Sequence, residues 1–359
     1  MTRFRLHELV TGKFLTEVRM TADGDLVKTL QQYGDGNLSL DLYDENGVSR
    51  YPKWRDQIIP YRTLIIMTDD QSNILWAGLP VDVSTKNGLP VFPCRTLESY
   101  FEGIYVTDKV LDGQDRVSVA ARWLASIGGD AIGMLYDTPA SGITDVLEYS
   151  DAENAVVYDR LNDLAATADG FNWRIDVEYA DETRKVVNKI FRAKSPYLGN
   201  RSTRPPHVFE YPGNITSYEL NNLWSGKNGA TRVRAIGDGQ GENRIMSKLL
   251  IDTARESAGW APKEVREVFT GVTEQSAIDD HAEEMAAAYF GGQDVASISV
   301  RAPKDGESYS TPTTILPGDN ALVKITDGAV KISLVKTVTA LSFDPATNNF
   351  KPTLADLGG

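Results

Sequence analysis

The densest set of ionisable side chains in the sequence is Asp279-Asp280-His281-Ala282-Glu283-Glu284. One imidazole among carboxylates has the residue types that a metal centre or a general acid–base pair would use. On a helix, Asp280 and Glu284 share one face, and His281 and Met285 share another. Carboxylate-bridged metal pairs draw Glu-x-x-His motifs from several helices, and this chain offers a single such region. A solvated acidic helix face without metal is the simpler reading. The other histidines, His7 and His207, lie in strand-like sequence and gain no patterned partner.

Gly237, Gly239 and Gly241 in "AIGDGQGEN" follow an apolar run. A dinucleotide fingerprint needs a different glycine spacing and then a helix whose N-terminus meets the pyrophosphate. Residues 245–251 look like strand, so a hairpin loop is expected. No Gly-x-Ser-x-Gly elbow is present to carry a serine nucleophile. Fifty acidic residues permit many of the carboxylate pairs that sugar hydrolysis uses, but no spacing singles one out. No catalytic residue, cofactor site or metal ligand is assigned, and the chain reads as a scaffold rather than an enzyme.

The elements around these residues are mostly strands. The 359 residues suit two or three domains, and 41% apolar with 24% charged side chains is a globular balance. With 37 Lys+Arg against 50 Asp+Glu the net charge is −13, a sign that does not seek phosphate backbones. The N-terminus lacks a signal-peptide core, and no apolar run is long enough to span a bilayer, so a soluble protein of the cytosol is expected. Cys94, the one cysteine, is expected to pack as a small hydrophobe. The Asn-x-Ser/Thr matches at Asn37, Asn200 and Asn214 are then background.

Residues 1–105 alternate as short strands: Leu38, Leu40 and Leu42 face one way, and turns are expected at 44–47, 69–73 and 86–88. Helices are expected next. One carries Val117, Ala121, Leu124 and Ile127 inward, with Asp112 as its cap; the other starts from the capping box at Ser150-Asp-Ala-Glu153 and carries Val157, Leu161, Leu164 and Ala168 inward. With the alternating Phe171, Trp173, Ile175 and Val177 they make a small α+β domain over 106–195. After a Pro/Ser/Arg-rich linker, strands return in a second β-domain at 205–259 and 293–359, including "ATRVRAIGD" and "NRIMSKLLIDTARE". A helical insertion at 260–292 interrupts it. The fold class expected is mainly β with α+β: two tandem β-barrel domains, superposable on each other, plus smaller α+β domains.

In "HVFEYPGNITSYEL" a run of period two reaches Pro212-Gly213-Asn214 and restarts at Ile215, which reads as strand, tight turn, strand. Asn214 suits a turn because Asn tolerates left-handed backbone. Trp76 and Phe209 are expected in barrel cores, away from any ligand pocket.

Five stretches in this order, "WRDQIIPYRTLIIMTDDQSNILWAGLPVDV", "GLPVFPCRTLESYFEGIYV", "DRVSVAARWLASIGGDAIG", Gly170-Phe-Asn-Trp173 and "FEYPGNITSYEL", make the chain resemble a known family. It is similar to the tail hub, or minor tail, proteins of actinobacteria-infecting siphophages. These in turn look like distant relatives of the myophage baseplate hub and of the base of type VI secretion spikes. The structural motif residues of the resemblance are Trp76, Gly78, Phe209, Tyr211, Pro212, Gly213 and Asn214. The resemblance implies a homotrimeric ring at the tail tip of the virion, assembled in the host cytoplasm. Its implied partners are the distal tail protein, the tape-measure protein and tail fibre or tip proteins. DNA would pass its lumen without specific binding, and no membrane insertion or cofactor is implied. A tail-tip glycan or peptidoglycan hydrolase and a carbohydrate-binding adhesin are the alternatives. On the resemblance, the 207–220 stretch would be the entry hairpin of the second barrel.

Overall fold

In the computed structural model the described residues are 3–355, except 168, 227, 238–243, 270, 271, 273, 302–312 and 329. The architecture is mostly β, with several sheets and one half-barrel. The chain separates into two compact units, one of residues 1–217 and 299–352 and the other of 218–298 and 353–359.

In the first unit, the largest sheet uses the alternating strands of the first hundred residues. Its hydrogen-bonded path runs from Phe14–Val18 through Arg3–Glu8, Thr63–Thr68, Ile74–Pro80, Leu89–Arg95 and Asp35–Leu40 to Met20–Ala22, with Ser84–Lys86 also paired to Leu89–Arg95. The expected turns hold it together. Asp44 caps the backbone N–H groups of Asn46 and Val48, Asp69 does the same for Gln71 and Asn73, and Asn87-Gly88 turn with positive φ. Leu26–Thr29 leaves this sheet and pairs with Val330–Asp344 in another.

The α+β segment has a two-stranded ribbon, Lys109–Asp115 with Thr144–Tyr149, and a mixed sheet ordered Met134–Asp137, Val187–Lys194, Asn172–Tyr179. The helix over 116–129 buries Val117, Ala121 and Leu124 as expected. Its cap is Asp115, not Asp112: a bulge between Asp112 and Gln114 extends the strand to Asp115, whose Oδ1 accepts from Val117 N and Ser118 N. The second helix starts at Val157, later than the capping box suggested. Ser150 does cap, but only the 3-10 turn Asp151–Glu153, because Asn154 takes a left-handed φ of 52° and ends it. Glu153 instead reaches Arg160. Ala168 lies outside the described residues. Phe101, Trp173 and Phe191 stack in a core that is continuous with Leu64, Ile66 and Leu79 of the first sheet. Burying one such aromatic is worth several kcal/mol, so the first sheet and the α+β segment share a core.

The last large sheet is ordered His207–Tyr211, Asn320–Asp327, Val330–Asp344, Asn349–Ala355, Gln293–Arg301, Ile215–Leu223. The 207–220 stretch is therefore not a hairpin. Its two strands stand at opposite ends of the path and do not pair with each other. The same holds in the first sheet, where Phe14–Val18 and Met20–Ala22 are the two ends and only Arg19 separates them. A link of one or three residues spans at most about 3.3–3.6 Å per residue, so in each sheet the path curls round until its ends meet at a corner.

The second unit contains a small sheet ordered Leu250–Ile251, Arg232–Ile236, Glu264–Val268, and the helix Gln275–Tyr289 packs on Arg232–Ile236. Thus "ATRVRAIGD" belongs to an α+β unit rather than to the last large sheet. Most of "NRIMSKLLIDTARE" is not strand: Asp252 accepts from Arg255 N and starts a helix at Thr253–Ser257.

Candidate functional site

The motif residues of the sequence serve packing and corners. Trp76 is 1% exposed and donates from Nε1 to the Val27 carbonyl at 3.0 Å. Gly78 makes room for it, since a Cβ there would meet the indole at 2.2 Å. Phe209 is fully buried edge-on against Phe350, with ring centroids 6.0 Å apart. Asn214 holds the corner by accepting from Glu210 N at 2.8 Å and donating to the Val208 carbonyl at 3.1 Å. Its amide thus takes the place of a neighbouring strand, and Pro212 and Gly213 form the bend before it. Tyr211 closes the paired strand opposite Ile325.

The acidic helix places Asp280 and Glu284 in solvent. His281 is buried, stacked flat on Phe269 at 4.1 Å, and meets Glu284 at 3.2 Å. Among the described residues no three His, Cys, Asp or Glu converge as metal ligands. Gly237 is described and buried, while Gly239 and Gly241 lie outside the described residues. Cys94 is buried, and burial pushes its thiol up, away from reactivity.

One charged feature is not singled out by the sequence patterns. A groove of about 1080 Å³ in the first unit is walled by the strand Asn172–Tyr179, by Ile74–Pro80 and its preceding turn, and by Leu97–Gly103. Trp76 is buried, yet its ring forms part of the wall of this groove. Lys28, Glu98, Arg174 and Asp176 supply the charge.

Each is there for a local reason. In Leu26–Thr29, alternation puts Lys28 on the face of Leu26 and Leu30, both buried. Its stem is partly open, but its ammonium is enclosed, and that burial pushes its pKa down to about 8 against the pull of Asp176. Glu98 sits in the 3-10 helix Leu97–Gly103 and is 4% exposed. Its Oε1 accepts the Ile175 N–H at 2.8 Å; its Oε2 has no partner of hydrogen-bond geometry, although Thr96 is near. Burial dominates and raises the carboxyl to about 7, with those N–H and hydroxyl groups opposing. Arg174 donates to Asp176 at 2.8 Å and to the Pro317 carbonyl at 2.6 Å, and Arg192 bonds the other oxygen of Asp176. Asp176 is thus neutralised by two guanidinium groups. Among the described residues, Glu98 Oε2 is an acceptor of the groove left without a partner of hydrogen-bond geometry.

No family model matches the sequence, and no curated protein matches it at the level of sequence. Solved structures do match in fold. The tail protein from Neisseria meningitidis MC58 is 12% identical, with a TM-score of 0.59 over 99% of this chain and 97% of that one. The prophage MuSo2 43 kDa tail protein from Shewanella oneidensis is also 12% identical, with a TM-score of 0.59 over 98% and 97%. The prophage tail protein gp18 from Listeria monocytogenes EGD-e is 11% identical, with a TM-score of 0.52 over 99% and 95%. In fold, from end to end, the chain is like these phage tail proteins.

Proposed function

We infer that the protein is a structural subunit of a phage tail, placed at the tail tip, where three copies form a hub ring that closes the tube. The observation that carries this reading is the fold shared with the tail protein from Neisseria meningitidis MC58 over 99% of this chain and 97% of that one. Two curled sheets with the same corner topology suit a tandem duplication, so a trimer would present six tube-like units to a six-fold distal tail protein. The ring would contact the tape-measure protein inside and carry fibre or tip proteins outside. DNA would pass without specific binding, as a net charge of −13 favours. The virion is the proposed location, after assembly in the host cytoplasm, and a siphophage of actinobacteria is the proposed source.

Native mass spectrometry and light scattering of the purified chain test this. A closed species of three 39.5 kDa copies is expected. A strict monomer, both alone and with the distal tail protein, would overturn the ring. The adhesin reading draws on one observation in the second unit: Trp260, 46% exposed, packs on Trp224 at 4.6 Å. Glycan-array binding lost in Trp260→Ala would favour it over the hub.

A further inference from the structure

Asn172–Tyr179 is the edge strand of its sheet, and every residue of it from Arg174 to Tyr179 lines the groove. The direction of its backbone is fixed by two contacts. Trp173 O accepts from Gln31 N and Ile175 N donates to Glu98, so the odd-numbered residues point their amides away from Val187–Lys194 and into the groove. Gln31 and Glu98 therefore occupy the first two positions that a neighbouring strand would take. Beyond them the Ile175 carbonyl, both backbone groups of Val177 and both of Tyr179 have no hydrogen-bond partner among the described residues. No proline or bulge interrupts that edge. Edges of this kind template strand addition.

The charge of the groove selects what would add. Five carboxylates line it against Lys28 and Arg174. Arg174 and Arg192 hold Asp176, Arg192 also holds Glu178, and Asp69 binds the backbone of its own turn, so Glu98 is the carboxylate on which the choice of occupant rests. Glu98 lines the same space, nearly fully buried, and its Oε2 has no partner of hydrogen-bond geometry among the described residues, with Thr96 and the Lys28 ammonium near its carboxylate. A second copy of this chain, at −13, is a poor match for such a wall.

We propose that the groove is a docking site for an extended, basic segment of a different protein, which adds as a strand along Ile175–Tyr179 and presents an Arg or Lys to Glu98. Backbone pairing supplies the bonds common to any extended segment; Glu98 supplies the preference for a cation. The site stands on the groove itself and does not depend on the ring.

The test is fluorescence anisotropy of the full chain with three labelled octapeptides of alternating Thr and Val. One carries a central Arg, one a central Glu, and one is the Arg peptide N-methylated at alternate residues. The Arg peptide is expected to bind at least tenfold more tightly than either of the others. Val177→Pro, which removes an outward N–H that no partner uses, is expected to weaken it at least tenfold. Glu98→Gln is expected to abolish the Arg-over-Glu preference while strand binding persists. No binding of the Arg peptide at millimolar concentration, or equal binding of its N-methylated form, would overturn the proposal without reference to any variant's folding. Self-association that Val177→Pro abolishes and the Arg peptide competes away would also overturn it, by making a second copy the occupant.

Discussion

Glu98 Oε1 accepts the Ile175 N–H at 2.8 Å, so a carboxylate in one segment ends the open edge of a strand in another, 77 positions away. The bond costs desolvation of a carboxyl that is 4% exposed, and the cost falls on the charged form.

That cost sets a pH dependence. Folding raises Glu98 from an ordinary 4.5 to about 7, so the native state keeps a proton that the unfolded chain has lost. Its contribution is fully present below about pH 4.5 and is lost as pH rises through about 7, a change on the order of 3 kcal/mol. His7 opposes it in the same window: burial lowers its pKa, and stability is lost as pH falls. The difference between wild type and Glu98→Gln isolates the glutamate. In denaturant unfolding, Glu98→Gln is expected to gain on wild type between pH 5 and pH 8. Parallel pH profiles for the two proteins would contradict this.

Asn214 stands in for a strand partner at the corner, bonding Glu210 N and the Val208 carbonyl. Asn214→Ala is expected to cost about 1–3 kcal/mol, the net worth of two such bonds. Asn214→Asp keeps the acceptor for Glu210 N and loses the donor to Val208, so it should fall between. Chemical denaturation of the three proteins checks the order.

The corner also shows what the sequence could and could not say. Period two and Pro-Gly-Asn correctly mark two strands and a sharp bend between Tyr211 and Ile215. They carry no information on which strands pair, and the ends of a curled sheet look locally like a hairpin. Leu26–Thr29 was unreadable for the same reason, since its partner, Leu341 opposite Lys28, is some three hundred residues on. The helix over 116–129 was legible because its apolar spacing is local; its cap was displaced by a bulge that no composition rule reports. Lys28 was in view as a lysine between Leu26 and Leu30 on one strand face, a pattern that signals a buried charge once the strand is known. Glu98, in "TLESYF", had no such signal, because two of the groups that act on its carboxyl, the Ile175 N–H and the Asp176 carboxylate, lie in a distant segment.

Gly78 and Trp76 form a second local unit, in which the glycine exists for the ring. A Cβ at Gly78 would lie 2.2 Å from the Trp76 indole and 2.8 Å from the Arg95 carbonyl, and neither can yield without moving the strand. Gly78→Ala is expected to destabilise by about 1–3 kcal/mol, as overpacking does. Trp76→Ala is expected to cost about 3–5 kcal/mol through its cavity. The double variant should cost less than the sum, because removing the ring removes the clash; additive losses in a double-mutant cycle would show that the two do not touch.

The last prediction concerns DNA. A conduit through which DNA slides must not hold it: each phosphate bound by Lys or Arg releases counterions and adds affinity. From 106 to 193 there are 9 Lys+Arg against 16 Asp+Glu, and the whole chain carries −13. Many of the arginines there are already spent on carboxylates: Arg116 on Asp145, Arg160 on Glu153, Arg174 and Arg192 on Asp176. The proposed ring is therefore expected to have no continuous belt of Lys and Arg along its lumen. Purified protein is expected to leave a short labelled duplex unshifted at about 50 mM salt, where basic channels bind most strongly. Binding whose logarithm falls linearly with the logarithm of salt, with a slope of several charges, would reveal such a belt. It would turn the proposed hub from a passive conduit into one that grips DNA before release.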